Sequence, residues 1–191
     1  MLFRCSAVGN LMSEPKLVAD KKAGKLSKTA ESYLNQFIFE YKYGRRQNFS
    51  TKATQKGTQT EDDGIHVLNM VMKTRYKKNT ERFYGDYLTG EPDIIGKDII
   101  IDIKSNYSAN SFLGKDSIDN IYFWQLLGYC VLDEKRKGAI AYTLNNTPLD
   151  IIKSEITSAY YKNGLVDLTD EDKAKIALNH IYTDKHIVDG N

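Results

Sequence analysis

The chain has 191 residues, with 27 Lys and Arg against 25 Asp and Glu, a net charge of +2 and a pI near 8.3. That length supports one unit with a proper hydrophobic core and no covalent staples, and the near-balance of charge neither demands nor excludes a polyanionic partner. Cys5 and Cys130 stand too far apart to form a disulfide framework, which points to a reducing, cytoplasmic setting, and no apolar run is long enough to span a membrane.

In chain order, Leu17 to Ser27 reads as a loop, and Ser27 or Thr29 caps a helix over Ala30 to Tyr43 that stops at Gly44. Tyr33, Phe37, Ile38 and Tyr41 form its core face. Thr58 or Thr60 opens a second helix reaching about Arg75, with Glu61 on the same stripe as Ile65, Leu68 and Met72. A carboxylate at the head of an apolar stripe is costly to bury without a cation, so Glu61 is a ligand candidate, whereas Asp62 and Asp63 face water.

Glu81 to Leu88 reads as a strand entering a hairpin built on Gly90-Glu-Pro-Asp-Ile-Ile-Gly-Lys-Asp-Ile-Ile-Ile-Asp-Ile-Lys104. Parity puts Ile100, Asp102 and Lys104 on one face and Ile99, Ile101 and Ile103 on the other. A turn over Gly96 to Ile99 sets Asp93 directly opposite Asp102, and a slip by one pair leaves them diagonal on the same face. Two carboxylates about 5 Å apart repel by roughly 3 kcal/mol at an effective dielectric near 20. Lys104 offsets part of that cost and a divalent cation offsets more, so the pattern reads as a Mg²⁺ or Mn²⁺ site. The alternative is a surface Asp102–Lys104 ion pair beside an unrelated loop aspartate.

Ile118 to Leu132 is nearly all apolar and reads as a buried helix on which Gln125 and Tyr129 share a face one turn apart. A buried glutamine needs partners, which could be protein carbonyls, the hairpin carboxylates or a phosphate. Gly138 to Leu144 alternates as a strand, and Leu149 to Tyr161 and Thr169 to Tyr182 are helices. The expected fold is therefore α/β, a small mixed sheet flanked by helices, in a single domain over 1–191 with its core at about 28–162 and a C-terminal helix at about 169–182. Basic residues cluster at Lys21/Lys22/Lys25/Lys28, Arg45/Arg46, Lys73/Arg75/Lys77/Lys78 and Lys135/Arg136/Lys137. His66, His180 and His186 lack zinc-ligand spacing, and no G-x-x-x-x-G-K-[ST] phosphate loop is present.

The order Gly57-x-x-x-Glu61, Glu-Pro-Asp93, Asp102-Ile-Lys104 and Gln125-x-x-x-Tyr129 resembles the RecB-like branch of the PD-(D/E)xK nuclease superfamily, most closely the phage lambda-type (YqaJ-like) alkaline exonucleases. Phe3-Arg-Cys-Ser6, Ser27 to Gly44, Lys104 to Phe112 and Asn120 to Gln125 extend the similarity, which runs from about Phe3 to Leu144. The resemblance implies a restriction-endonuclease-like core in which Glu61, Asp93, Asp102 and the Ile103 carbonyl hold one or two Mg²⁺ (or Mn²⁺) ions. Lys104 then orients or activates the attacking water, Gln125 fixes Lys104 or a phosphate oxygen, and Tyr129 supports that helix. Ser6 resembles a family serine that helps hold the 5′-terminal phosphate. Lambda-type enzymes also use an arginine upstream of it, for which Arg4, Arg45 or Arg46 is expected to substitute.

The resemblance further implies a homo-oligomer, a trimeric ring, that digests one strand of duplex DNA 5′ to 3′ from its ends. It would hand the other strand to a single-strand annealing protein in phage-type recombination, in the host cytoplasm if phage-encoded. A related RecB-like endonuclease or single-strand nuclease, and a non-catalytic DNA-binding protein retaining the fold, are the other readings.

Overall fold

The Ser27 hydroxyl accepts the Ala30 amide at 3.0 Å, which starts α3 (Lys28–Tyr43) where a β-region serine can satisfy a free helical N–H. Gly44, at φ 62°, ends it in the left-handed conformation that costs a glycine little. Ala30, Tyr33, Leu34 and Phe37 form its inner face, and Phe37 stacks on Phe3 with centroids 4.2 Å apart. Ile38 and Tyr41, expected in the core, are exposed instead although both continue that stripe, so the buried part of α3 ends near Phe37.

The computed structural model describes residues 1–46, 50–134 and 137–182. Its other elements are β1 (Phe3–Arg4), α1 (Cys5–Leu11), α2 (Val18–Lys22), α4 (Lys52–Gln59), α5 (Glu61–Met72), β2 (Phe83–Tyr84), β3 (Leu88–Gly90), β4 (Ile94–Ile95), β5 (Ile100–Ser105), α6 (Ala109–Leu113), α7 (Asn120–Leu132), β6 (Gly138–Thr143), α8 (Leu149–Lys162) and α9 (Asp170–Leu178). The fold is mixed α/β, with one three-stranded sheet in the order β1-β3-β2 and another in the order β4-β5-β6. The chain forms two compact units, the first from 1–49, 77–102 and 117–140, the second from 50–76, 103–116 and 141–191. Among the described residues no helix is long and apolar enough to cross a membrane.

In the first unit β1 pairs parallel with β3, and β2 pairs antiparallel with β3. The stretch expected as one strand over Glu81 to Leu88 is thus a short hairpin that turns at Gly85, whose amide donates to the Leu88 carbonyl at 2.8 Å. Cys5, Ile100 and Tyr129 form a buried cluster, with Leu88 and Leu132 packed against it. Helix α7 buries Gln125, Leu126, Gly128 and Tyr129, but Phe123, Leu127 and Val131 are 49%, 43% and 64% exposed. An apolar sequence on all sides therefore gives a helix buried on one side only, not the fully buried helix expected.

In the second unit α4 was not anticipated; its polar sequence carries Gly57, which weakens helix propensity. Thr51 caps it through the Thr54 amide at 3.1 Å. Helix α5 ends at Met72 rather than Arg75 because Lys73 turns to φ 52°, and Met72, expected on the inward stripe, is 62% exposed.

A Cβ at Gly90 would lie 2.5 Å from the Tyr129 ring and 2.9 Å from Cys5 Sγ, so only glycine lets β3 approach this cluster. Gly90→Ala is expected to destabilise the protein by about 1–3 kcal/mol. The measurement is the urea midpoint at unchanged m-value.

Candidate active site

The β4–β5 hairpin has the register Ile94↔Ile101 and Ile95↔Ile100, and its turn is closed by Gly96 N–H donating to Ile99 O at 2.8 Å. The ladder ends at Ile94/Ile101, and its register, continued by one pair, sets Asp93 opposite Asp102, the first of the two registers read from sequence. Since Gly96/Ile99 is a bonded pair, alternation makes Asp93/Asp102 a non-bonded pair, the position where facing Cβ atoms stand closest, about 4.5–5.5 Å. The Asp93 carbonyl instead accepts the Asn79 amide at 2.7 Å, and the Asn79 side-chain amide donates to Pro92 O at 2.9 Å. Asn79 therefore pins the backbone that carries Asp93.

Asp102 is only 1% exposed, although β5 is otherwise a run of isoleucines there. The Gln125 amide nitrogen donates to Asp102 Oδ1 at 3.0 Å and to the Tyr129 hydroxyl at 2.9 Å. Both N–H groups of the amide are thus spent, leaving its carbonyl oxygen as the one polar group it can still offer. Of the partners open at the sequence level, this geometry selects the hairpin carboxylate. Burial first, and then the negative charges of Asp102 and Asp93, push the Tyr129 phenol well above its ordinary range, while the Gln125 hydrogen bond opposes that shift. The phenol is therefore a neutral post beside both carboxylates. Gln125→Leu removes the donor from a buried carboxylate and is expected to cost about 1–3 kcal/mol in chemical unfolding.

The second unit sets Glu61 and Lys104 on elements packed against each other. The Thr60 hydroxyl lies 2.8 Å from both Lys56 O and Ser105 Oγ. The Asn145 side-chain amide reaches Thr60 O at 3.2 Å, Thr143 Oγ1 at 3.2 Å and Ser105 Oγ at 3.4 Å. A Cβ at Gly64 would come within 2.6 Å of Ile103 Cγ2, so the start of α5 lies directly on the end of β5. Glu61 and Lys104 are half-buried, whereas Asp62 and Asp63 are exposed as expected.

Lys56, not singled out in the sequence, is fully buried one turn before Thr60. Its ammonium donates to Tyr107 O at 3.2 Å and stands 5.0 Å from the Tyr182 ring centroid. Its signal was its place on the α4 face shared with Thr60, unreadable without foreseeing α4. The Tyr107 hydroxyl donates to Glu155, which Lys52 Nζ approaches to 3.3 Å, and that hydroxyl bond is the main cause of a lowered Glu155 pKa.

Desolvation lowers the Lys56 pKa to about 8. The unfolded chain then holds more protons between pH 8 and 10.5, so Lys56 makes stability rise with pH across that window and contributes no slope below it. Lys56→Met should remove an increment of about 3 kcal/mol from the parent's gain between those limits, read from urea titrations at several pH values.

Ser6 is exposed in the first turn of α1. Arg4 and Arg46 share one carboxylate, Glu40, at 3.6 and 3.9 Å, while Arg45 is exposed. A phosphate reaching Arg4 or Arg46 would compete with Glu40. Among the described residues of either unit, no three His, Cys, Asp or Glu side chains gather as a metal-holding group. The oxygen donors of the Asp93/Asp102 pair do suit a hard divalent cation.

No protein-family model matches the chain, and no curated protein matches it. Among solved structures, the phage-related exonuclease from Haemophilus somnus 129PT superposes with a TM-score of 0.69 and is 31% identical, over 79% of this chain and 71% of that one. The alkaline exonuclease LHK-Exo from Laribacter hongkongensis gives a TM-score of 0.60 at 15% identity, over 93% of this chain and 90% of that one. LHK-Exo in complex with dAMP gives 0.59 at 15% identity, over 78% and 73%. The two LHK-Exo structures establish the fold, and the Haemophilus somnus protein establishes the family. The chain belongs to the phage-related exonucleases, with the α/β nuclease fold that its lambda-type resemblance implied.

Proposed function

We propose that this chain hydrolyses phosphodiester bonds of duplex DNA from its ends, 5′ to 3′, with Mg²⁺ or Mn²⁺ held by Asp93, Asp102, the Ile103 carbonyl and Glu61. The observation that supports this reading is the β4–β5 register, which continued by one pair sets Asp93 opposite the buried Asp102, with Asn79 bonded to the Asp93 backbone and Gln125 to the Asp102 carboxylate, in a chain of an exonuclease family. Bound there, one or two ions would neutralise charge developing on the phosphate and lower the pKa of a bound water. Lys104 would orient or activate the attacking water through its ammonium. Gln125 holds Asp102 in its ligating orientation, and Tyr129 holds Gln125. Ser6 receives the 5′-terminal phosphate, with Arg4, Arg45 or Arg46 supplying positive charge.

With Mg²⁺, a linear 5′-phosphorylated duplex should shorten from its 5′ ends while a closed circle stays intact, and chelation should stop the reaction. Asp93→Ala and Lys104→Ala should each lower the rate on the order of a hundred- to a thousandfold. Cutting of the closed circle would refute end dependence and favour a RecB-like endonuclease. A fully active Asp93→Ala variant would refute the catalytic assignment.

The same reading makes the protein a homo-oligomer, a trimeric ring, that passes its single-stranded product to an annealing protein in the cytoplasm. The exposed apolar side chains of α7, which line a groove of about 510 Å³ with Ile118, Leu126 and Cys130, support association with another copy. A solution mass of three chains is expected, and a monomer at micromolar concentration would count against the ring.

A further inference from the structure

From Gly64 to Thr80 the sequence contains no acidic residue, yet Lys73, Arg75, Lys77 and Lys78 fall within it. Exposure alternates along this segment: Lys73, Arg75 and Lys77 are exposed, Thr74 and Tyr76 half-buried. Asn69 holds the inward residues. Its Oδ1 accepts from Thr74 Oγ1 at 2.9 Å and from the Tyr76 amide at 2.8 Å, while its side-chain amide donates to Tyr76 O at 2.9 Å. The loop is thus fastened through its backbone, leaving the cationic side chains pointing outward. Such preorganisation reduces the ordering cost of binding.

Lys73 adds a second observation. It occupies the left-handed position after α5 at φ 52°, the place where α3 has Gly44. A lysine there carries backbone strain that glycine would avoid.

The other described basic clusters are partly neutralised by neighbouring acids. Lys21 pairs with Glu14 at 2.5 Å, Lys25 with Asp20 at 2.8 Å, and Arg46 approaches Glu40. Among the described residues no carboxylate pairs with Lys73, Arg75 or Lys77.

We propose that Lys73 and Arg75, with Lys77 next along the chain, form a phosphate-binding track for the DNA duplex, separate from the phosphate that is cut. Helix α5 runs from Glu61 to Met72, so at a rise of 1.5 Å per residue the track begins about 18 Å from Glu61. That span equals about five base pairs at 3.4 Å each, so these side chains grip duplex away from the reacting end. The contacts are to backbone phosphates and are indifferent to base sequence. This inference rests on the nuclease reading above, which supplies DNA as the polyanion rather than an acidic protein.

The test is fluorescence anisotropy with a short labelled duplex, without divalent metal, over a salt series. The triple variant Lys73→Ala/Arg75→Ala/Lys77→Ala should bind roughly tenfold or more weakly, equally across duplex sequences. The slope of log K against log salt should fall by about one per side chain removed. The paired lysines serve as the control, because Lys21→Ala/Lys25→Ala should leave that slope near the parent's. A triple variant with the parent's affinity and slope overturns the track, even where the parent degrades linear DNA and the nuclease reading stands. An equal loss in the control also overturns it, since the effect is then general charge. A parent that neither binds nor cuts duplex DNA removes both readings, leaving the loop as a surface for an acidic protein.

Discussion

A carboxylate in an apolar interior is the constraint around which the first unit is organised. Asp102 lies on a strand whose neighbours Ile100, Ile101 and Ile103 are all buried, so water cannot solvate it. Isolated burial of a charge would be ruinous, and donors must be supplied locally. Gln125 is one such donor, and it is useful only if its own orientation is fixed, which Tyr129 does from one turn further along α7. Tyr129 in turn packs with Cys5 and Ile100, against a β3 strand that has no side chain at Gly90. One buried carboxylate is thus tied to a helix position, a core cluster and a glycine.

The second unit solves a different problem with the same kind of device. The start of α5 must meet the end of β5 closely, and hydroxyl and amide groups of Thr60, Ser105, Thr143 and Asn145 do the joining. Short polar side chains hold fixed geometry at little entropic cost. The elements bearing Glu61 and Lys104 are therefore set by short polar neighbours. Lys56 extends the joint by bonding to the Tyr107 carbonyl from a fully buried position.

Local rules made part of this legible. The hairpin and the face shared by its acids followed from strand parity and a glycine turn, with two registers left open, α3 from Ser27 and Gly44, and the exposure of Asp62 and Asp63 from their place beside the apolar stripe. What escaped was non-local or contrary to propensity. Parallel pairing of Phe3–Arg4 with Leu88–Thr89 joins segments with no periodic signal between them. Helix α4 is polar and contains Gly57, so its stability comes from packing rather than sequence preference. The apolar run of α7 could not reveal that Phe123, Leu127 and Val131 face outward. At the candidate site, the acids and Gln125 were visible as motif positions. The exclusive use of the Gln125 amide by Asp102 and Tyr129, and the sharing of Glu40 by Arg4 and Arg46, needed coordinates.

The threading of the two units bears on how the molecule comes to be folded. Each is assembled from three separated stretches, so the backbone leaves and re-enters both before either is complete. Neither can be excised as a continuous fragment, and contacts of long sequence separation must close before the core rewards them. A chain synthesised from its N-terminus holds β1 without its partner β3 until Gly90 has emerged, and α1 without α7 until Leu132 has. Continuous fragments of the chain are accordingly poor candidates for autonomous folding.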